Sequence, residues 1–435
     1  MVEGCVLLKN KENTLPVKPG SCVSLFGKTC KRFIECGAGS AEVITDQHSS
    51  FFESMGEIFG RDHVLDGVIS EKTDAVIVSV GCMGREGADR DTLELGDEEK
   101  NLLDQVFSLA EKAGKRVVLL LNICGPVELG QYAEKADAIL CLFIPGMEGG
   151  RAVADLVAGR RNPSGKLPLT FPKKYLDCPT LGNFPGYAGE VYYGEGIYVG
   201  YRYYDKKEIE PLYPFGFGLS YTDFEFSGLK MDSPVWDSRK QGGLKIRATV
   251  KNTGSVPGKE VAQLYLSAVD ATLDRPVREL KGFQKVFLNP GEEAEVVFEL
   301  VPEDLMCYDT GKKEWTLEPG TYTVWVGNSS RELPLTGQFS LEADDPYGFG
   351  GGTAVFQILK HPGTAEVFRN YLAGLGVDRG ALDDLLKETL QFRPESRMDA
   401  VWDTIIAPML GGLTPQEKKN AGQILLQKLS QVKRR

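Results

Sequence analysis

Through residues 1–175, short apolar runs alternate with segments whose apolar positions recur every three or four residues. This is the pattern of a largely parallel sheet covered on both faces by helices. Residues 23–26, 75–80, 117–121 and 138–143 read as buried strands. Between them, residues 97–113 carry Leu102, Leu103, Val106 and Leu109 at helical spacing, and residues 149–158 read as a further helix. An irregular, aromatic-rich connection occupies 176–225. Over 226–342 the period shortens to two: residues 244–250, 260–266, 280–288, 294–300 and 320–326 alternate, separated by turn signals such as Asn252-Thr253-Gly254 and Asn289-Pro290-Gly291. About seven short strands in such a length predict a β-sandwich. Residues 343–435 form a short helical tail, introduced by a glycine-rich break at 348–352, with apolar residues at helical spacing in 365–375 and 415–429. Leu425, Leu426 and Leu429 should be core positions there, yet the tail is expected to be too small for an independent core and to dock on the sandwich or on a partner.

A chain of 435 residues exceeds the size of one ordinary core, which stops growing near ~250–300 residues, in keeping with this multidomain reading. The net charge of −11 and a pI near 5.1 argue against a phosphate-binding surface, so no nucleic-acid partner is expected. No apolar run approaches the ~20 residues that span a bilayer, and Met1-Val2-Glu3-Gly4-Cys5 lacks a basic region followed by an apolar core. A soluble cytoplasmic protein with no membrane partner is expected. Nine cysteines without CxxC spacing suit reduced thiols, with Cys141 a core residue. The three histidines, His48, His63 and His361, are far apart in sequence. They offer little material for a metal site or a Ser-His-Asp triad, and no metal or other cofactor is expected.

Six segments, in order, carry a resemblance: Glu3-Gly4-Cys5-Val6-Leu7-Leu8-Lys9-Asn10 running to Leu15-Pro16; Arg85-Glu86-Gly87-Ala88-Asp89-Arg90; Pro145-Gly146-Met147-Glu148-Gly149-Gly150; Asn162-Pro163-Ser164-Gly165-Lys166-Leu167-Pro168; the stretch from Gly194 to Tyr204; and Tyr213-Pro214-Phe215-Gly216-Phe217-Gly218-Leu219-Ser220-Tyr221. Together, over residues 1 to 342, they resemble the C-terminal part of the family 3 glycoside hydrolases, a group dominated by β-glucosidases. The resemblance implies an α/β sandwich followed by a fibronectin type III-like sandwich. It also implies retaining hydrolysis of O-glycosidic bonds and a glycoside substrate. In that family a (β/α)8 barrel precedes the opening segment and supplies the nucleophilic aspartate. Here that segment starts at residue 3, so the nucleophile is expected on a separate or missing barrel and none on this chain, which is expected to be incomplete and inactive alone. A barrel partner chain and a homo-oligomer are both open.

Retaining hydrolysis needs two carboxyl groups about 5–5.5 Å apart, one attacking the anomeric carbon and one protonating the leaving oxygen. The resemblance makes Glu86 the general acid/base. The residues agree, since Glu86 follows a buried strand at the end where open α/β sheets present ligand-binding loops, with Gly81, Gly84 and Gly87 to bend the loop. Without the motif, Glu86 is one solvated acid in a charged loop. Asp89 and Arg90 are assigned to site support, an ion pair that fixes the glutamate and tunes its pKa, or else an exposed surface pair. Gly37, Gly39 and Ser40 are assigned to a substrate-side loop, or else a structural turn; Glu42 occupies a position where a dinucleotide loop would have to receive pyrophosphate. Glu195 is the rival acid. The tyrosines of 192–204 are expected to wedge the domains together, with sugar stacking as the other use. The competing function is a non-catalytic carbohydrate-binding or assembly protein derived from the same family.

Overall fold

In the computed structural model, strand β1 (Val6–Asn10) forms one edge of a six-stranded sheet with β2 (Cys22–Phe26), β3 (Val64–Asp66), β4 (Thr73–Cys82), β5 (Arg116–Ile123) and β6 (Ala138–Cys141). The structure describes residues 1–269, 271–343, 353–392 and 396–432, so the glycine-rich break at 348–352 lies outside the described residues. The spatial order is β1-β6-β5-β4-β2-β3; β1 runs antiparallel to β6 and the other neighbours are parallel. Successive side chains of a strand serve opposite faces. Val76, Val78 and Val80 of β4 join one core with Leu103, Val106 and Phe107 of α2 (Asp97–Ala113). Ala75 and Ile77 join the other with Phe51, Met55 and Phe59 of α1 (Phe51–Phe59) and Val153, Leu156 and Val157 of α4 (Gly149–Val157), while the short α3 (Gln131–Lys135) links β5 to β6.

The bounds of α2 follow from its ends. Asp97, Glu98 and Glu99 fill the first turn, where the helix dipole favours anions, and Gly114 closes the helix at φ 62°. Sequence periodicity missed α1 and the short β1 and β3. Yet Ser50 accepts from the Glu53 amide, the start of a Ser-x-x-Glu cap that the sequence does contain.

The winding decides where a site belongs. From β2 through α1 the chain reaches β3 on one side, crosses back over β2 to β4, and then winds through α2 and α3 toward β6. Strand order therefore reverses between β2 and β4, and the crevice beyond their carboxyl ends is the place where such sheets bind ligands. Two loops meet there, 27–50 and 83–96.

The aromatic connection contains α5 (Tyr201–Lys206). Its Tyr201 stacks on Phe215 at 4.8 Å, meets Tyr265 edge-on at 5.9 Å and accepts from the Leu280 amide at 2.9 Å. That residue fastens the connection to the β-sandwich. Tyr192 and Tyr193 do not, for they are largely exposed. A buried ion pair makes a second tie: Lys166 Nζ lies 2.6 Å from Glu260 Oε1 and donates to the Gly218 carbonyl at 2.8 Å.

The sandwich pairs a three-stranded sheet, β12-β9-β7, with a five-stranded one, β11-β10-β15-β16-β8. Its strands are β7 (Phe224–Met231), β8 (Val235–Asp237), β9 (Leu244–Asn252), β10 (Gly258–Ala268), β11 (Glu279–Leu288), β12 (Glu293–Leu300), β15 (Gly320–Gly327) and β16 (Leu335–Glu342); β13 (Cys307–Asp309) and β14 (Glu314–Thr316) form a separate hairpin. Trp236, fully buried, packs on Phe339, which stacks on Tyr322.

Two compact units emerge, residues 1–304 with 321–341 and residues 305–320 with 342–435. The second corrects the expectation for the tail. Helices Val355–Lys360, Pro362–Gly374, Arg379–Phe392 and Pro415–Ser430 enclose a core of their own, including Phe368, Leu372, Trp402, Ile406, Leu425 and Leu429. The core closes because apolar stripes from several short helices face one another; none of them alone has a wide apolar face.

Candidate active site

The loop after β2 is held down by a buried asparagine. Asn122, at 0% exposure near the end of β5, accepts from the Ile34 amide at 2.6 Å and donates to the Ile34 and Phe143 carbonyls at 3.1 and 2.8 Å. Close approach of the same loop to β4 requires a glycine: a Cβ on Gly81 would lie 2.9 Å from both Ile34 Cδ1 and Thr29 Cγ2. Gly81 thus serves packing and does not bend the Glu86 loop; of the three glycines assigned to bending, only Gly87 has a left-handed backbone, at φ +71°.

Held this way, the first loop pairs with the second. Ala38 forms a parallel bridge with Arg85, its amide donating to the Gly84 carbonyl at 3.3 Å and its carbonyl accepting from the Glu86 amide at 3.4 Å. Gly39 follows at φ +81°, where a Cβ would sit 3.0 Å from Glu86 Cβ. The chain then delivers the Ser40 amide to Glu86 Oε2 at 2.9 Å. The structure therefore brings Gly37, Gly39 and Ser40 together with Glu86 at the crevice where strand order reverses.

The Ser40 amide donates to the Glu86 carboxylate, and the neighbouring Ser40 hydroxyl and that amide hold its pKa below the ordinary glutamate value. The Glu86 side chain is exposed, so at neutral pH this carboxyl is ionised. In that form it can accept a proton; donating one requires a neighbouring negative charge or exclusion of water to raise the pKa again. A testable consequence follows for the isolated chain. Removing the hydroxyl in Ser40→Ala should move the Glu86 carboxyl titration, read by carbon NMR, up toward that of free glutamate. With a depressed pKa, the favourable contact is present above the unfolded-state value and lost as pH falls through the folded one. A titration that does not move in the variant would refute the contribution of the Ser40 hydroxyl.

Asp89 and Arg90 depart from expectation. Among the described residues no ion pair joins them. Arg90 donates instead to Cys82 Sγ at 3.1 Å and to the Pro126 carbonyl at 2.7 Å, and Asp89 is exposed. The chain direction after Gly87 takes Arg90 back over the ends of β4 and β5, so it anchors the loop by its backbone neighbours. Glu195, the rival acid, is partly exposed in a turn closed by the Tyr198 amide on its carbonyl at 2.9 Å. Sequence reading also missed a contact within the first loop, His48 Nδ1 to Glu35 Oε2 at 2.6 Å, with Arg32 3.3 Å from the other ring nitrogen. A separation of thirteen residues across an irregular loop leaves no periodic signal for it. Among the described residues, no group of three His, Cys, Asp or Glu side chains is placed to hold a metal ion, and no helix is long and apolar enough to cross a membrane.

Residues 5–221 match the model of the glycosyl hydrolase family 3 C-terminal domain, and residues 260–330 that of the fibronectin type III-like domain. The chain belongs to glycoside hydrolase family 3. Among similar family 3 proteins, thermostable β-glucosidase B of Acetivibrio thermocellus is 37% identical over 356 residues, covering 77% of this chain and 46% of the relative. A solved structure of β-glucosidase 3B from Thermotoga neapolitana with α-D-glucose superposes with a TM-score of 0.71 at 36% identity, covering 78% of this chain and 52% of that one. The family 3 β-glucosidase of Bifidobacterium adolescentis superposes at 0.73 with 30% identity, covering 84% and 56%. This chain thus spans about half the length of the relatives it matches. The family 3 domain match takes in Ser40, Glu86 and Asn122, and it runs through the aromatic connection to Tyr221.

Proposed function

We propose that this chain is the acid/base half of a retaining β-glucosidase, with Glu86 as the proton-transferring residue and the nucleophile on a (β/α)8 barrel outside residues 1–435. The observation that carries the reading is the Glu86 carboxylate, braced by Ser40 where the β2 and β4 loops meet, at the ligand-binding crevice of the sheet. In the first step a protonated Glu86 gives its proton to the glycosidic oxygen as the nucleophilic carboxylate attacks the anomeric carbon. In the second, the Glu86 carboxylate takes a proton from the water that releases the sugar. The nucleophile's negative charge and closure of the crevice against water supply the upward pKa shift that the lone chain lacks.

Support for a covering partner comes from Phe184, Tyr187, Val191, Tyr192, Tyr193 and Val199, all exposed on one connection, with Tyr187 at 89% and Tyr193 at 85%. Soluble monomers rarely leave large apolar patches open. Nine cysteines without CxxC spacing suit a reducing compartment, in keeping with a cytoplasmic site of action. The second reading, a non-catalytic carbohydrate-binding or assembly protein, draws on the ionised state of Glu86 in the chain by itself.

The separating experiment assays aryl β-glucosides with the purified chain, with a barrel chain bearing an aspartate nucleophile, and with the two combined. Activity in the mixture alone is the expected result. Binding of the barrel without turnover favours the assembly reading, and turnover by the lone chain refutes the division of labour.

A further inference from the structure

We infer that Cys82 and Cys124 form a redox pair at the base of the Glu86 loop, which a hydroperoxide converts into a disulfide. Cys82 ends β4, and Cys124 directly follows β5; the two strands pair in parallel up to Cys82 opposite Ile123. The Cys124 amide donates to the Cys82 carbonyl at 3.1 Å, and the two sulfurs are close enough to act on each other electrostatically. Cys124 lies one residue beyond Ile123, the register partner of Cys82, and its amide is bonded to the Cys82 carbonyl, which keeps the two backbones within the range of Cα separations, ~4.4–6.8 Å, that a disulfide spans. No large backbone movement is needed.

Access separates this pair from four buried cysteines, as it does the half-buried Cys36, Cys178 and Cys307, and the pair adds adjacency and a neighbouring guanidinium. Cys5, Cys22, Cys30 and Cys141 are buried, whereas Cys124 is exposed and Cys82 is half-buried. Arg90 Nη1 sits 3.1 Å from Cys82 Sγ, a counter-ion in place for a thiolate. Partial burial and the neighbouring Cys82 sulfur together raise the Cys124 pKa, so Cys124 keeps its proton. The two sulfurs therefore divide the work. The Cys82 thiolate attacks one peroxide oxygen and the oxygen–oxygen bond breaks, leaving a sulfenic acid on Cys82 and hydroxide in solution. The Cys124 sulfur then displaces hydroxide from Cys82 and its own proton leaves with it as water. Two thiols and one hydroperoxide give one disulfide and two molecules of water when the oxidant is hydrogen peroxide.

The bond would act on the loops already described. Cys82 is the root of the segment bearing Glu86, and Cys124 lies two residues beyond Asn122, which holds the root of the Ser40 loop. A Cβ on Gly84 would lie 3.1 Å from Cys124 Sγ, so the Glu86 loop packs directly on that sulfur. Oxidation ties the two roots covalently and stiffens the Ala38–Glu86 bridge. Formation of the disulfide does not depend on the glycosidase reading.

The test treats the full chain with a slight excess of hydrogen peroxide, alkylates the remaining thiols and maps the peptides. The expected first product is a Cys82–Cys124 cross-link, reversed by dithiothreitol. In Cys124→Ser, a dimedone adduct should appear on Cys82, and Cys82→Ser should lose both the adduct and the cross-link. Amide exchange at Ala38 and Glu86 should slow in the oxidised chain. Earlier oxidation of Cys36, Cys178 or Cys307, or Cys124 proceeding alone to the sulfonic acid, overturns the pairing. Because that outcome is read on the unsubstituted chain, misfolding of a variant cannot obscure it. Unchanged exchange at Ala38 and Glu86 overturns the link to the loops.

Discussion

Glu86→Gln should slow hydrolysis by the barrel-complemented enzyme about 10²- to 10⁴-fold for glucosides with poor leaving groups, the usual contribution of a positioned acid or base. Glutamine keeps the shape and can still receive the Ser40 amide bond on its carbonyl oxygen, so the loss isolates proton transfer from loop geometry. The effect should depend on the leaving group. Activated aryl glucosides need little protonation at the departing oxygen, so their first step should be nearly unimpaired. Their second step still needs a base to deprotonate water, and the glycosylated intermediate should accumulate. A pre-steady-state burst of the aryl leaving group is the signature of that accumulation. An equal loss across all leaving groups would mean that Glu86 only positions the loop.

Lys166→Met should destabilise the first unit by about 3–5 kcal/mol at neutral pH, because it strands a buried carboxylate. The Glu260 side chain is only 7% exposed and Lys166 only 12%. Burial outweighs the attraction of Lys166 and already holds the Glu260 carboxyl above the ordinary glutamate range. A carboxyl with a raised folded pKa gives its full stability contribution below the unfolded value and loses it as pH rises through the folded one. Removing Lys166 raises that folded pKa further. The deficit should therefore be large near neutrality and shrink on acidification as Glu260 takes up a proton. Adding Glu260→Gln to Lys166→Met should recover much of the loss, since no buried charge remains. Urea unfolding followed by tryptophan fluorescence at two pH values measures both effects. A deficit independent of pH would show that lost packing of the lysine stem, and not the stranded charge, is responsible.

The pair also marks what a sequence can and cannot disclose. Lys166 sits in an Asn-Pro-Ser-Gly-Lys turn and Glu260 in an alternating strand, and each looks solvated in its local pattern. Only the docking of sandwich on sheet domain buries them. Elements stabilised by their own pattern were legible. The strand around Val76, Val78 and Val80 and the helix 97–113 were readable because period, acidic first turn and terminal glycine all agree. The edge strand β1 was not, for it is five residues long and its first three, Val6, Leu7 and Leu8, are buried without alternation. The tail's core escaped because it is shared among short helices that individually look weak.

The site divides the same way. Glu86 was found through its motif, and the adjoining Gly37-to-Ser40 loop through another. That Ser40 would grip Glu86 was not readable, since forty-six residues and two strands separate them. Asn122 had a faint signal, one amide in the apolar run Val117-Val118-Leu119-Leu120-Leu121-Asn122-Ile123. A polar side chain at 0% exposure must satisfy its hydrogen bonds, and here they fix a loop. Asp89 and Arg90, assigned together from their motif, form no ion pair: Arg90 turns to Cys82 and Pro126, whereas Asp89 is exposed.

Chemical rescue tests the assignment of Glu86 most directly. In a barrel-complemented Glu86→Ala enzyme acting on an activated aryl β-glucoside, azide needs no base to attack the glycosylated intermediate. The account predicts that azide accelerates turnover and yields β-glucosyl azide, the anomer retained from the substrate. No acceleration, or an azide product of inverted configuration, would contradict Glu86 as the acid/base.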